Sequence, residues 1–302
     1  MLKNKKIALV FICVGLAAVT AAIIISLAAP KQSYSTKIPP ELDEAVARSI
    51  FSRVEVSLSD ATIDGVEYKY ASVDDKDRFL YSECMGEGHM ILGYADKNGV
   101  TEVYALCSYI GYGFVNGVLV DNTGSFCIPT LVTFEKTKDG GYVFKSAEEA
   151  EDGGQFIPSI KKMFPADLAE TAISAASDEA ITTSMQEQCD AYAANYLKVI
   201  GRDAKISAYH EEDFKLLSDY GVSADVENIL YGMYPEYGFY VGSFESIENG
   251  VRYVYAVQWE GNKKGTGTVT YTKTRYDSGK AVEKHVYSIK GDSIKEVKSK
   301  KK

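Results

Sequence analysis

Catalytic signatures are scarce in this chain of 302 residues, and each absence closes a class of function. Its three histidines, His89, His210 and His285, lie far apart and in no metal-ligand spacing. No His-Glu-x-x-His is present, which removes the commonest zinc-hydrolase pattern. There is no Gly-x-Ser-x-Gly elbow for a nucleophilic serine and no glycine-rich loop to cradle a phosphate. Positive charge is in deficit: the net charge of −9 argues against nucleic acid as a partner. No cofactor and no metal is implied. Cys84, Cys107, Cys127 and Cys189 follow no regular spacing, unlike a zinc site or a disulfide scaffold. Three complete pairings of the four stay open, and so do buried free thiols.

One long segment lacks charge altogether. From Ile7 to Ala29 the chain is an unbroken apolar run. As a helix rising 1.5 Å per residue it reaches roughly 34 Å, enough to cross a hydrocarbon core of about 30 Å. A cleavable signal peptide has a shorter apolar core of about 7–15 residues. Small residues near Ser26, Ala28 and Ala29 leave cleavage open, but Pro30 disfavours a cut after Ala29. Lys3, Lys5 and Lys6 precede the run, which places the N-terminus inside and residues 31–302 outside the cytoplasm. Cys13 is no lipoprotein acceptor, because Ile12 stands where a small residue is needed. The expected organisation is a cytoplasmic tip (1–6), a transmembrane anchor (7–29), a Pro- and Ser-containing linker (30–40) and about 270 residues of globular chain.

That globular part reads as α+β, in two similar units at 41–165 and 182–298 joined by a connector at 166–181. Pro40 suits a first helical turn, with Glu41, Asp43 and Glu44 near the positive end of the helix dipole. Leu42, Val46 and Ile50 repeat at helical spacing, so the helix should end near Arg53. Asn98-Gly99 lies between two runs of β-forming residues, a strong hairpin signal because both residues tolerate positive φ. A second amphipathic helix is expected from Ser184, where Ser184 and Glu187 form a capping-box pattern, to Gly201. Asn249-Gly250-Val251 and Val254-Tyr255-Ala256 then echo Asn98-Gly99-Val100 and Val103-Tyr104-Ala105 at a constant offset, which suggests duplication. Along 265–276, Val269, Tyr271, Lys273 and Arg275 share one strand face and the threonines share the other. Each unit should be a helix packed on an antiparallel meander. The basic tail from Lys295 to Lys302 reads as a frayed, solvated terminus.

Two sets of residues offer chemistry. Glu87 and His89 fall on one face of a strand and read as a surface pair. Ser159-Ile-Lys-Lys162 matches the Ser-x-x-Lys spacing of penicillin-binding enzymes, but Lys264-Gly-Thr-Gly267 is a poor version of their second motif and no third motif is found. Tyrosine is the abundant residue, with 22 copies against one tryptophan. Most should simply suit half-buried strands. The two Tyr-x-x-Tyr-Gly-Phe segments are the best recognition candidates: Tyr109, Tyr112 and Phe114, and Tyr234, Tyr237 and Phe239. Glycines there should let the rings splay toward solvent.

A longer pattern resembles a family. Gly88-His-x-Ile-Leu-Gly93, Val103-Tyr-Ala-Leu106, Ser108-Tyr109, Gly124-Ser125, Ile128-Pro-Thr130 and Ser159-Ile-Lys-x-Met-Phe-Pro165 look like the extracytoplasmic C-terminal region of Firmicutes membrane metallopeptidases, relatives of the β-lactam-sensing antirepressor proteases. Tyr196-Leu-Lys-x-Ile-Gly-Arg-Asp-Ala204, Asn249 to Tyr255 and Gly267 to Lys273 extend the resemblance over most of 41–290. The peptidase half, with its several membrane helices and metal motif, is absent. The resemblance implies a non-enzymatic binding or sensing module at the outer face of a Gram-positive membrane, with cell-wall glycan or peptide or an envelope protein as partner. The competing reading is an envelope-acting serine acyl-transfer enzyme that uses Ser159 and Lys162. The topology is directly measurable. Protease added to intact, wall-stripped cells should digest everything after about residue 30, and a C-terminal tag that survives would contradict the outward orientation.

Overall fold

The computed structural model describes residues 34–73, 82–208, 212, 214–237 and 240–301. The expected anchor with Cys13, and His210 and Phe239, lie outside these residues. Among the described residues no helix is long and apolar enough to cross a membrane. The fold is α+β: five helices and one large, almost wholly antiparallel sheet.

Helix α1 (Pro40–Arg53) begins and ends where its sequence predicts, with a proline in the first turn and Glu41 and Asp43 beside it. Six strands follow: β1 (Leu58–Ile63), β2 (Val66–Ser72), β3 (Cys84–Lys97), β4 (Val100–Val115), β5 (Val118–Lys136) and β6 (Tyr142–Glu149). Three tight turns here, Asp64-Gly65, Asn98-Gly99 and Asn116-Gly117, hold both residues at positive φ. That geometry matches the right-handed twist of the flanking strands and is why Asn or Asp precedes Gly.

Strand β4 is buried on both faces. Val103, Ala105 and Cys107 pack under Leu42, Val46 and Ile50 of α1. Tyr104 and Leu106 point the other way, and Ile110, Tyr112 and Phe114 continue along that side. This second face is closed by α2 (Phe156–Met163), α3 (Ala166–Ala175) and α4 (Glu179–Val199). Gly86 and Gly88 set how closely α4 lies: a Cβ at either would collide with the backbone oxygen of Cys189 or Met185. Two expectations are thereby corrected. Residues 166–175 are a helix in the first core, not a connector. Helix α4 covers the first sheet rather than opening the second unit, and it starts at Glu179, capped by Asp178, which accepts from the N–H groups of Ala180 and Ile181. Ser184 and Glu187 are mid-helix.

The second half holds the two-residue strands β7 (Ile206–Ser207) and β8 (Lys215–Leu216) and helix α5 (Ala224–Met233). A meander follows: β9 (Tyr240–Glu248), β10 (Val251–Gly261), β11 (Gly267–Arg275), β12 (Ala281–Lys290) and β13 (Ser293–Lys301). Its inner face, Val257, Val269, Tyr271, Tyr287 and Ile289, packs on Val226, Leu230 and Tyr237. The Asn249-Gly250 turn joins the first two strands after α5, whereas Asn98-Gly99 joins the third and fourth after α1. The echoed motif therefore marks shared turn chemistry at different places in the two meanders. The basic tail is not frayed: it pairs with β12 from Ser293 to Lys301.

The halves meet where the β4–β5 hairpin touches β9. Val115 bridges Phe244, the Asn116 N–H donates to the Ser243 carbonyl, and the Ser243 N–H returns to Asn116 Oδ1. Beside this seam lies a buried ionic cluster. Arg252 Nη1 donates to Glu83 at 2.6 Å and to Glu245 at 2.9 Å. Arg202 forks onto both oxygens of Glu245, each at 2.6 Å, and its guanidinium lies 3.6 Å from the Phe114 ring centre. Burial pushes the Glu83 carboxyl above its ordinary range, while Arg252 and the Tyr196 hydroxyl hold its charge. Arg252→Met would leave Glu83 buried without its counter-charge, a change that costs about 3 kcal/mol or more. Urea unfolding of the full chain should show that loss, and Glu83→Gln added to it should recover much of it. An unchanged midpoint in Arg252→Met would show that the cluster contributes nothing.

Candidate functional site

Strand β5 is incompletely paired on one edge. Strand β4 accompanies it from Val118 to Glu135. On its other edge β6 pairs only with Thr130–Lys136, and β7 only with Leu119 and Val120. Between them, residues 121–129 meet no strand among those described. Local chemistry explains the gap. Pro129 has no N–H to give a neighbouring strand, and the chain turns away here, with the Ala150 N–H donating to the Pro129 carbonyl at 2.9 Å. Opposite Ser108 the strand bulges. Cys127 sits at φ 54°, unusual for a residue with a side chain. Its N–H donates to Ser108 Oγ at 2.7 Å, which holds the bulge in place. Gly124 adopts φ 149°, where a Cβ would strike the Tyr109 carbonyl.

A cleft opens on each face of this gap. On the α1 side a cleft of about 590 Å³ is lined by Arg53 and Val54 from the end of α1, Tyr109 from β4, Thr123 and Gly124, and Ala147 and Glu149 from β6. Arg53 Nη1 donates to Glu149 Oε1 at 2.7 Å, and Ser125 Oγ donates to the Tyr109 hydroxyl at 3.1 Å. On the opposite side a cleft of about 380 Å³ is bounded by Ile110, Asp121, Asn122, Phe126 and Gln186. Thr123 and Gly124 line both. Both are exposed.

Of the five described rings singled out from sequence, Tyr109 alone lines one of these clefts, and it is half-buried. Tyr112 and Phe114 are buried, as is Tyr237. The expected splay toward solvent fails because Gly111 and Gly113 lie within β4, a strand covered on both faces, and not in a loop. The Tyr112 hydroxyl donates to Asp190 at 2.6 Å. Tyr237 packs edge-on against Tyr255 and Tyr271, at 5.0 and 5.3 Å between ring centres. Half-buried Tyr234 shares a 2.7 Å hydrogen bond with the Tyr287 hydroxyl. Tyr234 and Tyr237 thus belong to the core of the second half, and Tyr112 and Phe114 to that of the first. Sequence reading missed Arg53, Thr123, Gly124 and Glu149; the signal available was Gly124 next to Thr123 within an otherwise β-forming run.

Glu87 and His89 are a buried pair, not a surface one. His89 Nδ1 donates to Glu87 at 2.9 Å and Nε2 to Asp43 of α1 at 3.2 Å. The Tyr192 hydroxyl of α4 donates to the other Glu87 oxygen, and Gln188 accepts from the His89 N–H. This network ties α1, β3 and α4 together along the edge of β3. Among the described residues no group of three or more His, Cys, Asp and Glu can hold a metal ion. Ser159 is buried and structural: its hydroxyl donates to the Phe156 carbonyl and accepts from the Glu151 N–H. Lys162 is exposed and reaches Glu148 at 3.3 Å, so the two residues of the acyl-transfer reading are engaged elsewhere. All four described cysteines are buried and free, and burial pushes the Cys107 thiol up to about 11.

Comparison with family models, curated proteins and solved structures finds no match for this chain. The site therefore rests on its geometry.

Burial lowers the pKa of His89, but the hydrogen bonds and charges of Asp43 and Glu87 outweigh it and raise the value to about 9. The folded value lies above the ordinary 6.5. The stabilisation is therefore complete below pH 6.5 and lost as pH rises through about 9. It amounts to about 3 kcal/mol. Thermal unfolding at pH 6.5 and pH 9.5 should show a larger fall for the native chain than for His89→Gln. Equal falls would mean that His89 is not charged in the fold.

Proposed function

We propose that this protein is a membrane-anchored, extracytoplasmic binding or sensing module of a Gram-positive cell envelope, and that it captures an extended peptide along the open edge of β5. The observation that carries the reading is the pair of clefts on opposite faces of one stretch of strand whose second edge meets no strand among those described. A peptide that adds as a strand hydrogen-bonds through its backbone and sends alternate side chains to opposite faces. Residues 121–128, shortened by two bulges, span roughly 20 Å, room for about six peptide residues between β6 and β7. The α1-side cleft is polar, with Arg53, Glu149, Thr123 and the Tyr109 hydroxyl to meet a carboxylate or amide. The other cleft offers Ile110 and Phe126 to an apolar side chain.

The apolar run Ile7–Ala29, flanked by lysines, supports the anchor, and the resemblance to the extracytoplasmic region of the metallopeptidases supports an envelope setting. The binding role is non-enzymatic and needs no cofactor.

Titrating the full chain in neutral detergent with cell-wall stem peptides and with linear peptides tests the proposal. Binding should protect from hydrogen exchange those amides between Asp121 and Ile128 that face away from β4. Tyr109→Ala should weaken it about tenfold, and Thr123→Trp, which fills the notch from an exposed position, should abolish it without lowering the unfolding temperature. Binding that leaves those amides unprotected would remove the notch as the site.

A further inference from the structure

Charge is strongly segregated along this chain. Residues 262–302 contain twelve Lys and Arg against four Asp and Glu, a net charge of +8. Since the whole chain carries −9, the remaining residues carry −17. The basic segment is the outer part of the second meander, β11 to β13, and it ends as a paired edge strand.

The register sorts its side chains by face. Inward go Val269, Tyr271, His285, Tyr287 and Ile289. Outward on β11 go Thr268, Thr270, Thr272 and Thr274, every one half-buried. Opposite them on β12 stand Ser288, Val286 and Lys284, with Lys290 at the strand end. Lys295 and Lys298 of β13 lie opposite Ser288 and Val286. Lys284, Lys290, Lys295 and Lys298 are exposed, and among the described residues none of them is in an ion pair. The contrast with Lys273 is instructive: on the inner face, it is matched by Glu248 at 2.7 Å. On the same face Glu260 stands opposite Thr268, with two strands between it and Lys295, and Glu245, opposite Val254, is taken by Arg202 and Arg252. Strands are about 4.8 Å apart and alternate residues about 7 Å, so in the row Lys284, Lys298, Lys295 and Lys290 each lysine lies within about one Debye length, roughly 10 Å, of the next, and the row runs for about 20 Å. Like charges held so close raise the local potential and favour a multivalent anion over single ions.

We propose that this outer face binds a linear polyol-phosphate polymer, with the lysines on β12 and β13 meeting phosphodiester charges and the threonine row on β11 hydrogen-bonding hydroxyls of the repeating unit. The face has no aromatic side chain, so it gives no platform for stacked bases, which disfavours single-stranded nucleic acid. Val297, in the bulge of β13 between Lys295 and Lys298, is exposed, but a lone valine gives a bilayer little to hold. The surface lies on strands other than those of the peptide notch, and the inference stands whether or not that reading holds.

The test uses the full chain in neutral detergent and immobilised poly(glycerol phosphate). The native chain should bind, with affinity that falls steeply between 50 and 300 mM salt, by about tenfold or more. Lys284→Gln, Lys295→Gln and Lys298→Gln combined should lose about tenfold or more in affinity. The same three positions changed to Arg should keep it, which separates lost charge from lost fold. Lys145→Gln with Lys161→Gln, on the first half, should bind as the native chain does. The inference is overturned if the triple Gln variant binds normally, if single-stranded DNA or anionic lipid vesicles compete better than the polymer, or if the Gln variant aggregates without losing affinity. That last outcome would assign the lysines to guarding a strand edge.

Discussion

A strand with no exposed face governs the first half of this molecule. Strand β4 presents Val103, Ala105 and Cys107 to one side and Tyr104, Leu106 and Tyr112 to the other, all of them buried. Each fully buried apolar side chain is worth about 1.5–3 kcal/mol relative to exposure, so neither face can be left to water. Helix α1 closes one and α2 to α4 the other. Everything near the site follows from that double cover. Gly86 and Gly88 exist to let α4 in, and the His89 network fastens α1 and α4 across the edge of β3.

The second half follows another rule. Its meander is covered on one face by α5 and Tyr237, and the opposite face carries threonine, serine and lysine. Half-solvated antiparallel sheets alternate in this way. The two halves thus expose different kinds of surface. In the first, the free element is a length of backbone edge between two clefts. In the second, it is a field of side chains. The Arg252 cluster and the Asn116–Ser243 hydrogen bonds hold the two in fixed relation, with Phe114 under the Arg202 guanidinium as the apolar floor of the joint.

Local signals were legible in the sequence. Helix α1 follows from Pro40, the acidic first turn and the spacing of Leu42, Val46 and Ile50. The Asn98-Gly99 and Asn249-Gly250 hairpins follow from turn chemistry, and the facing of Val269, Tyr271 and the threonines from period two. Non-local facts were hidden. Helix α4 has one good apolar face, but nothing along the chain says that its partner is β3 rather than the strands that come after it. The rings of Tyr112 and Phe114 looked free because glycines flank them; a second layer of helices, far away in sequence, encloses them. Glu87 and His89 have the same alternation whether they face water or Asp43. The notch is the hardest case, since it is defined by where β6 and β7 stop.

The route of α4 has a consequence for how the protein is made. The cover of the second face of β4 is completed by Met185, Cys189, Ala193 and Leu197, which are synthesised some eighty residues after that strand. A growing chain emerges at about 5–20 residues per second. For several seconds the nascent first sheet therefore has only part of its second face covered: α2 and α3 are in place for Tyr104 and Leu106, while Ile110, Tyr112 and Phe114 wait for α4. During that interval the half-built domain is a natural client for a chaperone. A ribosome that stalls before residue 197 would release a fragment unable to bury its own sheet.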